Sequence, residues 1–371
     1  MLNIAMYECC FKSSAISKLK ETASIYVYGT LGVGIAIARA LLEHNLPFAG
    51  FIDSYNYGKT IQIDEGEADY KIYHIDKLAD KQAAIFISSV VHYLEIHDSI
   101  VMRGFNNIID PISVLDKGNC PLDSLLMYVG HPIFWMPTDW AEHKDKYEWL
   151  KRLLADEKSV AVFKTIMDVC VLHGWSDVTH FHKLFAQVDD KIELQYEEFM
   201  QGDIFVDGGS YDATTAKAFI KLNPNYKKVY LVEPNPASMK VCKASLDGYS
   251  NIEYLPYGLS DSKKTLKFNA DDEQVASFSE NGNISVNCMP LDMLVQENTA
   301  MIKLDVEGSE LEAIAGAKRL LTNGSPFAIC VYHKSGDIWR IPEQILKLNP
   351  NYKLYLRHYG PSSNEIVLFG V

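Results

Sequence analysis

In residues 1–118, short apolar runs of strand length alternate with segments whose apolar residues recur at helical spacing. The strand-like runs are 24–28, 48–52, 83–91 and 107–112, and the clearest helical pattern spans 35–44. Strands that alternate with helices in this way are typical of βαβ units with a parallel sheet. The pattern therefore predicts a small Rossmann-like domain in this part of the chain.

The pattern changes in residues 119–201, where apolar positions fall three and four apart with charged residues between them. Segments 144–154 and 159–173 show this spacing best, and they predict a helical connector or lid. From residue 202 onward, strand and helix patterns alternate again, and the chain ends in two β-like runs, 352–358 and 365–371. The residues between these two runs favour a turn and an antiparallel hairpin.

Residues 202–371 thus predict a parallel sheet that ends in an antiparallel hairpin, which is the architecture of class I methyltransferases. The fold class that we expect is α/β, with a seven-stranded Rossmann-like sheet and an antiparallel last strand. The helical connector and the smaller Rossmann-like domain precede it.

Composition and charge reduce the number of function classes that fit this sequence. The chain has 371 residues, more than one hydrophobic core usually fills, which agrees with more than one domain. Its 35 basic and 48 acidic side chains give a net charge of −13, so we expect no binding to nucleic acid or to anionic membrane surfaces. No apolar run reaches the roughly 20 residues of a membrane span, and residues 1–21 lack the pattern of a signal peptide. We therefore expect a cytoplasmic protein without membrane insertion, whose seven cysteines are reduced thiols.

Candidate ligand-binding residues follow the predicted strands of the last domain, at the edge where ligands bind in open α/β sheets. Asp207-Gly208-Gly209 turns from a strand into a helix, so the backbone and the free N–H groups of the helix can approach a ligand. Glu233 ends the next strand, 26 residues after Asp207, where an acid accepts hydrogen bonds from ribose hydroxyls. Such an acid repels the 2′-phosphate of NADP, whereas NAD stays possible. Asn235 and Pro236 suit the start of the following helix.

Two further acids, Asp305 and Glu307, lie two residues apart between a strand and a helix, so both side chains can reach a ligand above the sheet. A structural hydrogen-bonded loop is the alternative for this pair. Ser309 and Glu312 match the S-x-x-E capping box of the helix, and Glu310 suits its first turn because it complements the helix dipole. These matches predict structural roles for Glu310 and Glu312.

Four segments of the last domain, taken in order, resemble those of the FkbM family of S-adenosylmethionine-dependent methyltransferases. They are Phe205-Val206-Asp207-Gly208-Gly209-Ser210, Val232-Glu233-Pro234-Asn235, Ile302-Lys303-Leu304-Asp305-Val306-Glu307-Gly308-Ser309-Glu310-Leu311 and Leu356-Arg357-His358-Tyr359. The lysine–apolar–Asp–Val–Glu–Gly run is the most discriminating, and the resemblance covers about residues 203–371. It departs from the common methyltransferase turn of three alternate glycines, because Tyr211 and Ala213 stand where two of those glycines would be.

The resemblance implies that S-adenosylmethionine is the cofactor, with its methionine end at Asp207 and Gly209, its ribose at Glu233 and its adenine near residues 258–261. The cofactor-binding residues implied in this way are Asp207, Gly208, Gly209, Tyr211, Glu233, Asn235 and Ser260.

Methyl transfer to an oxygen needs an aligned acceptor and a group that takes its proton. We predict that Asp305 or Glu307 orients or deprotonates the acceptor hydroxyl, with His333 as the rival base. We predict no metal site, although Asp305, Glu307 and His333 have side chains that suit a divalent ion. Near Asp177, His180 and His182, no third ligand follows at diagnostic spacing.

The first domain carries a glycine-rich turn, Tyr28-Gly29-Thr30-Leu31-Gly32-Val33-Gly34, which resembles a dinucleotide fingerprint, and Asp53 follows where a ribose acid would lie. Leu31 stands where the fingerprint needs glycine, and its side chain would obstruct the approach of a pyrophosphate. The domain resembles the small Rossmann-like domains that accompany sugar-modifying transferases. Scaffolding or dimerisation, nucleotide-sugar binding and NAD binding therefore all stay open.

The predicted function is S-adenosylmethionine-dependent O-methyl transfer to a hydroxyl of a sugar or glycan precursor. The partners that we expect are a small-molecule or glycan acceptor and a second copy of the chain, bound through the N-terminal domain. The alternative is an oxidoreductase or scaffold protein that binds a nicotinamide or nucleotide-sugar ligand through that domain.

Overall fold

The computed structural model describes residues 11–30, 32–63, 68–89, 93–114, 132–173, 198–268, 284–298, 300–359 and 364–371. The chain divides into two units, one drawn from Met1–Ile133 and Leu172–Gln187 and the other from Phe134–Val171 and Val188–Val371. The domain boundaries at residues 118 and 201 stay predictions. Leu31, Asp177, His180 and His182 lie outside the described residues.

The first unit contains a six-stranded sheet. Its strands are β1 (Ile25–Tyr28), β2 (Phe48–Ile52), β3 (Thr60–Gln62), β4 (Asp69–Tyr73), β5 (Ala84–Ile87) and β6 (Ile108–Ile109), and its helices are Ser13–Leu19, Gly32–Glu43, Tyr93–Met102 and Pro111–Val114. The strand order is β3-β4-β2-β1-β5-β6, and all neighbours are parallel except β3 and β4. The Rossmann-like parallel core is thus confirmed, whereas the edge hairpin of β3 and β4 was not predicted.

The strands of the second unit build two sheets. They are β7 (Ile204–Gly208), β8 (Lys228–Val232), β9 (Ile252–Leu255), β10 (Gly258–Leu259), β11 (Lys264–Phe268), β12 (Ile284–Met289), β13 (Met301–Leu304), β14 (Phe327–Cys330), β15 (Leu354–His358) and β16 (Ile366–Gly370). The large sheet has seven strands in the order β15-β16-β14-β13-β7-β8-β9, and the small one has the order β10-β12-β11. In the large sheet β16 is antiparallel to β14 and β15, and the other neighbours are parallel. The class I methyltransferase fold is confirmed.

The helices of this part of the chain are Pro132–Glu142, Lys144–Leu153, Glu157–Met167, Thr214–Leu222, Pro236–Ser245, Leu291–Leu294, Glu310–Gly316, Lys318–Thr322 and Asp337–Leu348, and Asp168–His173 forms a π-helix. The single helix expected after Glu310 is divided at Ala317. The backbone N–H groups of Arg319 and Leu320 donate to the carboxylate of Asp292, which starts a new helix there. Within the described part of the chain, no helix has both the length and the apolar character that crossing a bilayer requires.

Hydrogen bonds join the start of helix Glu157–Met167 and the residues before it to the outer strand β15. The N–H of Ala155 donates to the carbonyl of Leu354 at 2.8 Å, and the hydroxyl of Ser159 accepts from the N–H of Leu356 at 2.9 Å. Residues outside the large sheet therefore satisfy polar groups of its edge strand.

Arg357 strengthens the same contact from within β15. Its side chain is only 2 % exposed, and its guanidinium lies 2.8 Å from a carboxylate oxygen of Asp156 and 3.0 Å from one of Glu198. Asp156 in turn caps helix Glu157–Met167, because its carboxylate accepts from the N–H of Ser159. This arginine belongs to the last of the four family-like segments.

Candidate active site

The turn after β7 places a buried acid beside a glycine. Asp207 is fully buried, and neither of its carboxylate oxygens has a hydrogen-bond partner. Gly209 adopts a φ of 74°, and a Cβ there would overlap the carbonyl oxygen of Asp305. Glycine is required at this position because the ends of β7 and β13 approach each other too closely for a side chain.

Lys303, in β13, joins these two strand ends. Its Nζ donates to the carbonyl of Gly209 at 2.8 Å and lies 3.4 Å from Asp207 Oδ1 and 3.7 Å from Asp305 Oδ2. Burial lowers the pKa of Lys303, but the carboxylates of Asp207 and Asp305 outweigh it and the net pKa is raised. Burial also raises the pKa of Asp207, which Lys303 offsets only in part. The two groups are therefore a buried ion pair whose members depend on each other.

Glu233 and Asn235 organise the next corner of the site. Glu233 is 6 % exposed, and its carboxylate oxygens accept from the N–H of Tyr211 at 3.0 Å and of Asn235 at 2.8 Å. Asn235 accepts from Ala237 N through Oδ1, which confirms the predicted helix cap, while its buried Nδ2 has no hydrogen-bond partner. A carboxylate has about four lone-pair sites, so Glu233 retains the capacity to accept hydroxyl donors.

His333, just after β14, lies among three carboxylates. Its Nε2 is 3.4 Å from Asp305 Oδ1 and 3.6 Å from Glu307 Oε2, and its Nδ1 is 2.9 Å from Glu310 Oε1. The structure thus brings the three predicted catalytic residues together and adds Glu310 to them.

The charges of this group depend on one another. Burial lowers the pKa of His333, but the carboxylates of Glu310, Asp305 and Glu307 raise it to about 10, so the imidazole carries a proton near neutral pH. Burial raises the pKa of Asp305, yet Lys303 and His333 bring it below its usual value. Burial, together with the carboxylates of Asp305 and Glu310, raises the pKa of Glu307. A protonated imidazole cannot accept another proton, so this environment favours the carboxylates over His333 as bases.

The capping-box prediction was wrong. Ser309 makes no side-chain capping hydrogen bond. Instead Glu310, almost fully buried, accepts from the N–H groups of Val306 and Gly308 at 3.0 and 3.4 Å and approaches His333. Glu310 therefore fixes both the loop that carries Asp305 and Glu307 and the ring that faces them. Its burial could not be read from a helix-start pattern.

Two other predicted residues are Ser260, in the second unit, and Asp53, in the first. Ser260 follows β10, is buried, and donates its hydroxyl to Asp261 Oδ1 at 3.1 Å. In the first unit Asp53 accepts from Thr30 Oγ1 and from the N–H groups of Tyr55 and Asn56, which lowers its pKa despite partial burial. These hydrogen bonds indicate that Asp53 stabilises the turn that follows β2.

The amino-acid sequence of the second unit matches one family model. Residues 203–360 match the family model described as the methyltransferase FkbM domain. This span is an FkbM methyltransferase domain. It contains all ten predicted site residues, from Asp207 to His333.

Two known proteins show the extent of the similarity. The hexuronic acid methyltransferase AglP of Haloferax volcanii is 29% identical over 175 residues, which are 44% of this chain and 69% of that protein. The crystal structure of the methyltransferase FkbM from Methylobacillus flagellatus KT superimposes with a TM-score of 0.68 at 17% identity, and the match covers 100% of this chain and 96% of that chain. The second comparison extends the likeness in fold to both units.

In the turn after β7, the two positions at which the common methyltransferase turn has glycine are occupied by other residues but are left-handed. Tyr211 and Ala213 have φ values of 47° and 65°, in the left-handed region. A residue with a Cβ is strained there by roughly 1–2 kcal/mol. Both positions thus adopt a backbone conformation that glycine favours, although neither residue is glycine.

Ala213→Gly is expected to stabilise the protein by about 1 kcal/mol, because glycine relieves the left-handed strain at a buried position. Ala218→Gly is the matched control: it removes the same buried methyl group from the interior of helix Thr214–Leu222 and should cost about 1 kcal/mol. Urea unfolding measures both. Equal losses in the two variants would contradict the strain at Ala213.

Proposed function

We propose that this protein is an S-adenosylmethionine-dependent O-methyltransferase that acts on a hydroxyl of a sugar or glycan precursor. The observation that carries the proposal is the buried Asp207 carboxylate next to the glycine turn, which is paired with Lys303 Nζ at 3.4 Å but accepts no hydrogen bond. A buried carboxylate that accepts no hydrogen bond is costly, so this one suits a ligand that carries donors or a positive charge. The family of the domain supports methyl transfer.

The residues at this edge of the sheet fit the cofactor. Asp207 presents a carboxylate to a positively charged ligand, and Asn235 presents an unpartnered Nδ2 donor. Glu233 would accept from ribose hydroxyls. Gly208 and Gly209 keep the turn free of side chains, with Tyr211 and Ser260 completing the proposed set. S-adenosylmethionine supplies an electrophilic methyl group on a sulfonium.

The chain's own part in the reaction is to align the acceptor and to remove its proton. Alignment is worth roughly 7–11 kcal/mol, whereas a general base adds about 10²- to 10⁴-fold in rate. Asp305 is joined to the glycine turn through Lys303, and Glu307 lies on the other contact of His333 Nε2. Either carboxylate can accept a hydrogen bond from an acceptor hydroxyl. We assign orientation of the hydroxyl to Asp305, because its lowered pKa keeps it ionised at neutral pH.

A sugar acceptor is supported by the similarity to a hexuronic acid methyltransferase. We propose a cytoplasmic reaction on a free sugar or a glycan precursor, which the buried free thiols of Cys170, Cys242, Cys288 and Cys330 suit.

Calorimetry with the full-length chain tests the cofactor, and transfer of a labelled methyl group to a panel of sugars and glycan precursors tests the acceptor. We expect binding of S-adenosylmethionine and of its demethylated product, with both affinities reduced in Asp207→Asn. Tight cofactor binding together with label on nitrogen or carbon in the product would contradict O-methylation. Folded protein that binds neither compound would overturn the whole proposal.

A further inference from the structure

The Nε2 atom of His333 points between two carboxylates but hydrogen-bonds to neither. It lies 3.4 Å from Asp305 Oδ1 and 3.6 Å from Glu307 Oε2. The His333 side chain is only 6 % exposed, and both its Nε2 and Asp305 Oδ1 are buried atoms without a hydrogen-bond partner. Two carboxylate oxygens thus lie close to Nε2, and ligand atoms of Asp305, Glu310 and His333 all lie within 4.8 Å of one another.

These separations are those of neighbouring ligands around one cation. With metal–ligand bonds of about 2.1 Å and a tetrahedral angle, two ligand atoms are about 3.4 Å apart. We propose that Asp305, Glu307 and His333 bind a divalent cation, which displaces the proton of His333 Nε2 to solvent, with Glu310 as the residue that orients His333. This proposal replaces our expectation from the sequence that the site holds no metal.

Glu310 supplies the feature that the sequence pattern did not reveal. Histidines that bind metal ions almost always donate their other ring nitrogen to a carboxylate, a carbonyl or water. Glu310 Oε1 lies 2.9 Å from His333 Nδ1, on the side of the ring away from Nε2. The same carboxylate accepts from the N–H groups of Val306 and Gly308, so the ring and the ligand-bearing loop have a common anchor.

The chemistry of the three ligands selects the class of cation. Two carboxylates and one imidazole suit borderline divalent ions such as Zn²⁺ and Mn²⁺, and this set contains no thiolate that would favour a soft ion. The tetrahedral separations favour Zn²⁺, and Mn²⁺ is the probe because its binding can be followed directly. Lys303 is 3.7 Å from the other oxygen of Asp305, Oδ2, so it leaves Oδ1 available.

The existence of this site does not depend on methyl transfer, but its use in catalysis rests on the proposed function. A cation held at the end of β13 would bind the acceptor oxygen and lower the pKa of its hydroxyl, so that the proton leaves to solvent more readily. Asp305 would then orient the acceptor through the cation.

The test is a titration of EDTA-treated, dialysed full-length protein with MnCl₂, followed by the loss of the EPR signal of free Mn²⁺. We expect one bound Mn²⁺ per chain in the absence of S-adenosylmethionine. Asp305→Asn and His333→Asn should remove this binding, and Glu310→Gln should weaken it by about 10- to 100-fold. Asp203→Asn is the matched control, because Asp203 precedes β7 at the opposite end of the sheet, and it should bind Mn²⁺ like the wild type.

A second measurement on the wild type covers variants that fail to fold. Bound Mn²⁺ should broaden the amide NMR signals of Val306 and Gly308 and leave that of Asp203 sharp. The absence of Mn²⁺ binding at millimolar concentration, unchanged binding in folded Asp305→Asn, or broadening elsewhere would overturn the proposal. Calorimetry with S-adenosylmethionine is independent of these readouts, so failure of the cation site and failure of the proposed function are distinguishable.

Discussion

Asp305→Asn is expected to lower the turnover of methyl transfer by about 10²- to 10⁴-fold while leaving the affinity for S-adenosylmethionine unchanged. Asparagine keeps the shape of the side chain but can neither carry the negative charge nor take a proton. Asp305 Oδ1 is one of the unsatisfied buried atoms of the site, and the low pKa of the residue keeps it charged at neutral pH. Turnover at saturating cofactor and acceptor, with calorimetry for cofactor affinity, measures the effect.

Asp203→Asn is again the matched control, and its turnover should equal that of the wild type because Asp203 is exposed and pairs with Lys227. Circular dichroism and thermal unfolding check that Asp305→Asn is folded, since Asp305 also lies near Lys303. Undiminished turnover in the folded variant would remove Asp305 from the mechanism. A rise in KM for the acceptor with unchanged kcat would assign it to acceptor binding alone.

Lys303→Met is expected to lower the free energy of unfolding by about 3–5 kcal/mol, because it leaves a buried carboxylate without its countercharge. Lys303 is 6 % exposed, Asp207 is fully buried, and the lysine also donates to the carbonyl of Gly209. Methionine retains most of the apolar stem, so lost packing contributes little. Urea unfolding at neutral pH gives the change directly.

The matched control is Lys227→Met, which breaks an exposed ion pair of 2.7 Å with Asp203 and should cost less than about 1 kcal/mol. The loss in Lys303→Met should also grow as the pH rises. Burial raises the folded-state pKa of Asp207. At a pH above the unfolded-state pKa, the unpaired carboxyl of the variant must therefore either stay protonated or remain charged in a buried position, and both cost free energy of unfolding. A loss that is small, or greatest at acid pH, would contradict the buried pair.

Residues at strand ends could be placed from the sequence because two local rules agree there. The apolar run up to Val206 marks a buried strand, and the glycines after it mark the turn, so Asp207 had to lie at the carboxyl end. Glu233 and Asp305 follow from the same argument.

The partners of these residues could not be placed in that way, because they are set by packing between distant segments. Lys303 lies within the apolar run Met301–Leu304, and a charged residue in a fully buried strand was a usable signal that it is paired. Glu310 gave no such signal, since an acid in the first turn of a helix is ordinary on an exposed surface. Only the position of His333, 23 residues later, shows why Glu310 is buried.

The hydrogen bonds between β15 and residues Ala155 and Ser159 matter for any attempt to isolate the FkbM domain. An uncovered outer strand offers its free N–H and C=O groups to other molecules and promotes aggregation. The segment that shields β15 lies before residue 203, outside the family-matched span. The residues that cover β15 therefore lie upstream of the FkbM domain, and we expect an isolated fragment of residues 203–360 to self-associate through this strand.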